Sequence, residues 1–242
     1  MKLTKPLIAI TGASSGIGKA TAELFAAKGY PVLLMARRVE ILDSLNIEHK
    51  ITAKVDVTDI KQIRQAILKA EKIYGPVDLL VNNAGIMPME KYVDQSLKDK
   101  YATLDVNIKG VVNGMDCVLK TMNARQHGTI INLSSTASRW TSIDHALYNG
   151  SKFAVNAITE QARRENSENN VRFILIEPGI VDTNLLDTTV NKEVLDAYLV
   201  NKNNLKGGLK SQDVANVILY AYELPQHINV KELLITHTQQ KI

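Results

Sequence analysis

Thr11-Gly12-Ala13-Ser14-Ser15-Gly16-Ile17-Gly18 stands between two segments of opposite periodicity. The run before it, Leu7-Ile8-Ala9-Ile10, is continuously apolar and reads as a short buried strand. Lys19 to Lys28, after it, has Ala20, Leu24 and Ala27 at helical spacing, with Gly29 as a stop signal. Strand, glycine turn and helix form a unit suited to a dinucleotide. The glycines let the turn close and let the backbone approach a pyrophosphate. The helix offers that phosphate its unpaired N–H groups and the positive end of its dipole. Gly12, Gly16 and Gly18 are spaced G-x-x-x-G-x-G, not the more common G-x-G-x-x-G, and a glycine-rich turn can also be purely structural.

Outward from this stretch, apolar runs alternate with helical patterns. Strands are predicted at Pro31–Ala36, Ile51–Val55, Val77–Val81, Gly128–Leu133, Val171–Glu177 and Leu233–Ile235. Helices are predicted at Arg38–Leu45, Asp59–Tyr74, from Ser96 with a break to Asn123, from about His145 to Glu165, and at Ser211–Tyr222. The alternation implies parallel strands joined by helical crossovers. The expected fold is therefore α/β, a single-domain, Rossmann-type, doubly wound sheet of about seven parallel strands with helices on both faces. Residues 1–125 would form a cofactor half and residues 126–242 a catalytic and substrate half, with a lid at about 184–208 that ends in Gly207-Gly208.

Composition narrows the partners. The chain has 242 residues, 45% hydrophobic and 22% charged, as in ordinary globular proteins. Its net charge is +4, but the basic residues are scattered and form nothing denser than a pair such as Arg37-Arg38, so no nucleic-acid partner is expected. Cys117 is the one cysteine, which rules out an internal disulfide and a cysteine metal cluster; no metal site is expected. The first strand starts within a few residues of Met1, no run approaches bilayer length, and a cytoplasmic protein without membrane contact is expected.

Where many NAD-binding chains carry an acid at the end of the second strand, this one has Ala36 followed by Arg37 and Arg38. Two guanidinium groups without that acid favour a 2′-phosphate, hence NADP(H) over NAD(H). Asp56-Val57 and Asn82-Asn83-Ala84-Gly85 end the third and fourth strands, where a cofactor would lie; the asparagines could equally tie strand ends together. Tyr148 and Lys152 sit four apart on a helix and so share a face. A nearby ammonium is expected to lower the Tyr148 pKa toward working pH, as a proton donor to a carbonyl requires. Ser135 follows the fifth strand, where its hydroxyl can stabilise charge developing on a substrate oxygen. Asn107 falls inside a predicted helix although asparagine is a poor helix former, which points to a functional or kink role.

Together these motifs resemble, over essentially the whole length, the short-chain dehydrogenase/reductase family in its small single-domain form. The resemblance implies Tyr148 as general acid/base, Ser135 as the group polarising the carbonyl, Lys152 on the nicotinamide ribose, and Asn107 on a water of the proton relay. It further implies that Pro178-Gly179-Ile180-Val181-Asp182-Thr183 binds the nicotinamide end, with Thr183 on its carboxamide. Gly150, where alanine is frequent in the family, is a minor departure. Members are usually tetramers or dimers, so a homo-oligomer is expected. In the branch with serine and hydroxy-acid dehydrogenases the C-terminal tail helps build the tetramer, making Val230–Ile242 a subunit contact.

The expected pocket wall comprises Met87, Met89, Trp140, Ile143, His145, Leu185, Leu186 and Tyr198, with His145 read as structural or exposed. These largely apolar residues suit an aldehyde, ketone, alcohol or hydroxy acid, with Ser135, Trp140, Tyr148 and Leu185 touching it. A cofactor-binding sensor without turnover, and an isomerase or dehydratase using nicotinamide transiently, are the alternatives.

Overall fold

Leu7–Thr11 forms β1, all five residues buried, in a computed structural model that describes residues 5–241. The succession continues with α1 (Gly16–Ala27), β2 (Val32–Ala36), α2 (Val39–Ser44), β3 (Lys50–Lys54), α3 (Ile60–Tyr74) and β4 (Val77–Asn82). Then come α4 (Leu97–Leu104), a π-helical turn at Asp105–Lys109, α5 (Gly110–Ala124), β5 (Gly128–Leu133) and α6 (Ala146–Glu165). The last part holds β6 (Val171–Pro178), β7 (Val181–Asp182), α7 (Lys192–Asn204), β8 (Leu209–Lys210), α8 (Ser211–Glu223) and β9 (Glu232–Ile235).

Seven strands pair in the order β3-β2-β1-β4-β5-β6-β9, all parallel. Parallel strands need crossovers, and the helices cover both faces, which is why β1, β4 and β5 are buried at every position, the polar Thr11, Asp78, Asn82, Thr129 and Asn132 included. Along β1, Leu7 and Ala9 enter a core shared with Ile63, Ile67, Val111, Met115 and Val155 of α3, α5 and α6. Ile8 and Ile10 enter the opposite core, with Phe25 of α1 and Val214 and Ile218 of α8. The winding direction reverses between β1 and β4, and that switch point opens a crevice at the carboxyl ends of the strands.

Local chemistry sets several boundaries. The Asp59 side chain accepts from the Lys61 N–H to start α3, and Gly75 ends it at φ +85°. Ser96 starts α4 by accepting from the Asp99 N–H. Other boundaries depart from the sequence reading. α1 begins at Gly16, not Lys19, so the last glycines of the turn already belong to the helix. The break expected between Ser96 and Asn123 is the π turn around Asn107. α7 and the two-stranded β7–β8 pairing have no counterpart in the expected elements; α7 buries no residue completely and lacks a strong apolar stripe. No helix among the described residues is long and apolar enough to cross a membrane.

Candidate active site

A cleft of about 1350 Å³ runs along the carboxyl ends of the strands. At one end, Gly12 adopts φ +66°, and a Cβ there would stand 2.8 Å from the Ala84 Cα. Only glycine lets the turn after β1 press against the end of β4. Thr11 locks the two together: its Oγ1 accepts from the Asn83 N–H (3.0 Å) and the Ala84 N–H (3.1 Å). The Asn83 amide donates back to the carbonyls of Thr11 (3.0 Å) and Gly12 (3.2 Å). Asn83 thus borders the cleft while its side chain ties strand ends, the structural alternative raised by the sequence. Ser15 caps α1 with extended backbone but no side-chain bond, so the first-turn N–H groups beside the cleft are not capped by its hydroxyl.

Ser14, Ser15, Gly16 and Ile17 line the cleft, but Gly18 does not. A Cβ at Gly18 would meet the Gly12 carbonyl oxygen at 2.5 Å, so this glycine serves close packing of α1 against the turn. Arg37 and Arg38 are exposed at the rim beyond Ala36. The Arg38 guanidinium donates to Ser14 Oγ (3.3 Å) and Ser15 Oγ (3.4 Å). Asp56 and Val57 also line the cleft. Burial pushes the Asp56 carboxyl up, but the N–H and hydroxyl of Thr58, helped by Arg37 and Lys109, outweigh it and hold the group below its usual range.

Ser135, Tyr148 and Lys152 meet in the middle of the cleft. Ser135 ends the loop after β5 as the cap of a short 3-10 turn, Thr136–Ser138; its Oγ accepts from the Ala137 N–H (3.1 Å) and donates to the Pro178 carbonyl (3.4 Å). Tyr148 and Lys152 lie one turn apart on α6, only 8% and 7% exposed. The Lys152 ammonium donates to the Leu133 carbonyl at 2.8 Å. Burial pushes the Tyr148 phenol up to about 12, against the opposing pull of the Ser135 hydroxyl, and pushes Lys152 down to about 8. The expected lowering of Tyr148 by Lys152 is therefore corrected: both groups are enclosed, and burial disfavours phenolate and ammonium alike.

Behind this centre, Glu177 of β6 is fully buried. It accepts from Ser138 Oγ (2.8 Å), the Asn156 amide of α6 and the Arg139 guanidinium (3.0 Å). Asn156 Oδ1 in turn accepts from Ser134 Oγ at 2.6 Å. One carboxylate so joins the turn after Ser135, the helix bearing Tyr148 and the strand leading into Pro178-Gly179. None of the sequence motifs flagged it; a charged residue within the apolar run Val171–Glu177 was the available signal. Asn107 is 1% exposed and is not on the cleft wall. Its amide bonds the Ile86 N–H and carbonyl (both 2.9 Å) and Ser151 Oγ (3.1 Å), pinning the stretch after Gly85 to α6.

Pro178, Gly179, Ile180 and Thr183 form one wall, and Trp140, Ile143, His145, Leu185, Leu186 and Tyr198 enclose the far end with Met87. Met89 does not reach it; it is 2% exposed in the small core under Tyr148. His145 is half-buried, its ring centroid 6.4 Å from that of Tyr148 and 6.1 Å from that of Tyr198. The segment over this end is tied at both ends. Thr188 and Thr189 hydroxyls accept from the N–H groups of Met87 (3.0 Å) and Met89 (3.2 Å), and Lys202 pairs with Asp182 at 2.6 Å. Gln239, Gln240 and Lys241 also line the cleft, a placement absent from the reading of the tail as a subunit contact; Ile242 lies outside the described residues.

A family model described as short chain dehydrogenase matches residues 6–194. The uncharacterized oxidoreductase Lmo0432 of Listeria monocytogenes is 36% identical, with 99% of both chains covered. Among solved structures, the closed form of serine dehydrogenase complexed with NADP+ superposes with a TM-score of 0.90 at 28% identity, covering 98% of this chain and 96% of that one. An alcohol dehydrogenase from the archaeon Thermococcus sibiricus, complexed with 5-hydroxy-NADP, gives 0.83 at 26% identity, covering 98% and 99%.

Proposed function

The chain belongs to the short chain dehydrogenase family, and from that premise we propose that it is an NADP(H)-dependent oxidoreductase interconverting a carbonyl and an alcohol. The observation that carries this reading is the meeting of Ser135, Tyr148 and Lys152 in one cleft with the glycine turn and the Pro178–Thr183 wall. The donor set fits a dinucleotide. The Gly12 turn and the start of α1 suit the pyrophosphate, and Arg37 and Arg38 suit a 2′-phosphate, with Ala36 in place of an acid. The NADP-type ligands of the two structural neighbours support the same preference.

Bound nicotinamide would supply or accept the hydride. Tyr148, protonated at neutral pH, donates its phenolic proton to the carbonyl oxygen. Ser135 directs its hydroxyl at that oxygen and stabilises the developing charge. Lys152 holds the nicotinamide ribose and, when charged, favours the phenolate left on Tyr148. Asn107 acts through its hold on the segment after Gly85 and on α6. The apolar far end, with Trp140 and Leu185, suits a medium-sized aldehyde, ketone or hydroxy acid. The intact trio favours turnover over a sensing role. Exposed Leu97 and Tyr101 on α4, beside exposed Phe153 on the neighbouring α6, support a homo-oligomer.

The test is NADPH and NADH consumption over a panel of aldehydes, ketones and keto acids. Turnover preferring NADPH and falling at least about a thousandfold in Tyr148→Phe is expected. Cofactor binding without turnover across the panel would support the sensor instead.

A further inference from the structure

The C-terminal tail leaves β9 at Ile235 and turns back at once, with the Gln240 N–H donating to the His237 carbonyl at 2.8 Å. Its exposed neighbours Gln239 and Lys241 flank a half-buried Gln240. Gln240 Oε1 accepts from the backbone N–H of Ile180 at 3.0 Å. The amide packs closely against Gly179, where a Cβ would come within 2.3 Å of Oε1 and 2.9 Å of Nε2. The neighbouring Gly179 N–H is engaged within the sheet, with the Ile235 carbonyl at 2.8 Å, whereas the Ile180 N–H is held by the Gln240 side chain.

A glutamine side chain ends in a primary carboxamide, the same group that nicotinamide carries on its ring. A backbone N–H has one hydrogen and serves one good acceptor at a time. Resting on the cofactor reading of the Pro178–Thr183 wall, we infer that Gln240 occupies the carboxamide subsite as an intramolecular stand-in for nicotinamide. The tail is then a displaceable plug, and the nicotinamide end of the cofactor enters by taking the Ile180 N–H from Gln240. The adenosine end, held by Arg37 and Arg38 at the far rim, binds without disturbing it. Gly179 serves this exchange because either carboxamide needs the space its missing side chain leaves.

The experiment compares the unaltered chain, Gln240→Ala and a chain ending at Thr238. Calorimetry would give the dissociation constants of NADPH and of adenosine 2′,5′-bisphosphate, which has the phosphorylated adenosine but no nicotinamide. Losing one competing hydrogen bond should tighten NADPH about two- to tenfold in both variants and leave the bisphosphate unchanged. Equal or weaker NADPH binding in both variants, with the bisphosphate still bound, overturns the inference and leaves the cofactor reading standing. Tightening of both ligands alike also overturns it, since the effect would not be confined to the carboxamide. Failure of all three proteins to bind either ligand overturns the cofactor reading and the plug with it.

Discussion

The Lys152 ammonium stands 5.6 Å from the centre of the Tyr148 ring, and both groups are enclosed by protein. With its bond directed at the Leu133 carbonyl, the ammonium is a buried cation with no carboxylate in contact among the described residues. Burial lowers its pKa from 10.5 to about 8. Between those values the unfolded chain keeps a proton that the folded chain has released, so stability rises with pH across this window. At pH 7 the full cost of the buried charge is present. Lys152→Met should therefore be more stable than the parent at pH 7, by up to about 3 kcal/mol, with the gap closing toward pH 10.5. Urea unfolding at a series of pH values measures it; a gap independent of pH would refute the account. Tyr148, raised to about 12, makes both proteins less stable as pH rises above 10, and this cancels in the comparison.

Arg37→Ala and Arg38→Ala should weaken NADPH more than NADH. Each guanidinium is exposed, so a charge-assisted contact to a 2′-phosphate should contribute about 1 to 2 kcal/mol, or roughly five- to thirtyfold in affinity. Arg38→Ala should also cost NADH slightly, because Arg38 steadies Ser14 and Ser15 of the turn. Dissociation constants by fluorescence titration decide the matter, and equal losses for the two cofactors would count against 2′-phosphate recognition.

Thr11→Val preserves shape but removes the oxygen that accepts from both Asn83 and Ala84 N–H groups. Two donors left without a partner in a nearly dry position should cost about 2 kcal/mol or more. Thermal unfolding should show a clear drop in Tm, with weaker cofactor binding because the glycine turn loses its seat. A change within measurement error would mean that water reaches the turn.

Glu177→Gln replaces an acceptor ringed by Ser138, Asn156 and Arg139 with a group that must turn an NH2 toward donors. Breaking a buried ionic contact in this way should destabilise the fold by about 2 to 4 kcal/mol. Arg139, with its side chain 40% exposed, should tolerate replacement by alanine at smaller cost. Chemical denaturation of both variants gives the order, and an equal or reversed ranking would contradict it.

Central strands such as Leu7–Thr11 and Val77–Asn82 were legible because burial on both faces favours apolar residues along most of their length, with Thr11, Asp78 and Asn82 as the polar exceptions. The trio Ser135, Tyr148 and Lys152 was legible because helical spacing and strand ends fix where such side chains emerge. α7 was not, since it lies over the cleft with no fully buried face to impose a period. The direction of the Tyr148 shift was also hidden, because spacing shows which groups are near and not how deeply they are enclosed. The contact between Gln240 and Ile180 spans 60 positions and depends on the tail turning back, which no local pattern announces.

The π turn at Asp105–Lys109 carries one more consequence. A π turn amounts to one residue inserted into an α-helix, so α5 is rotated by about 100° relative to an uninterrupted continuation of α4. That rotation aims Val111, Met115, Val118 and Met122 at the sheet. Deleting any one residue of the turn would leave two acceptable helices but swing this stripe off the core. The segment can vary in composition far more freely than in length, and homologous chains are expected to align through it without a gap.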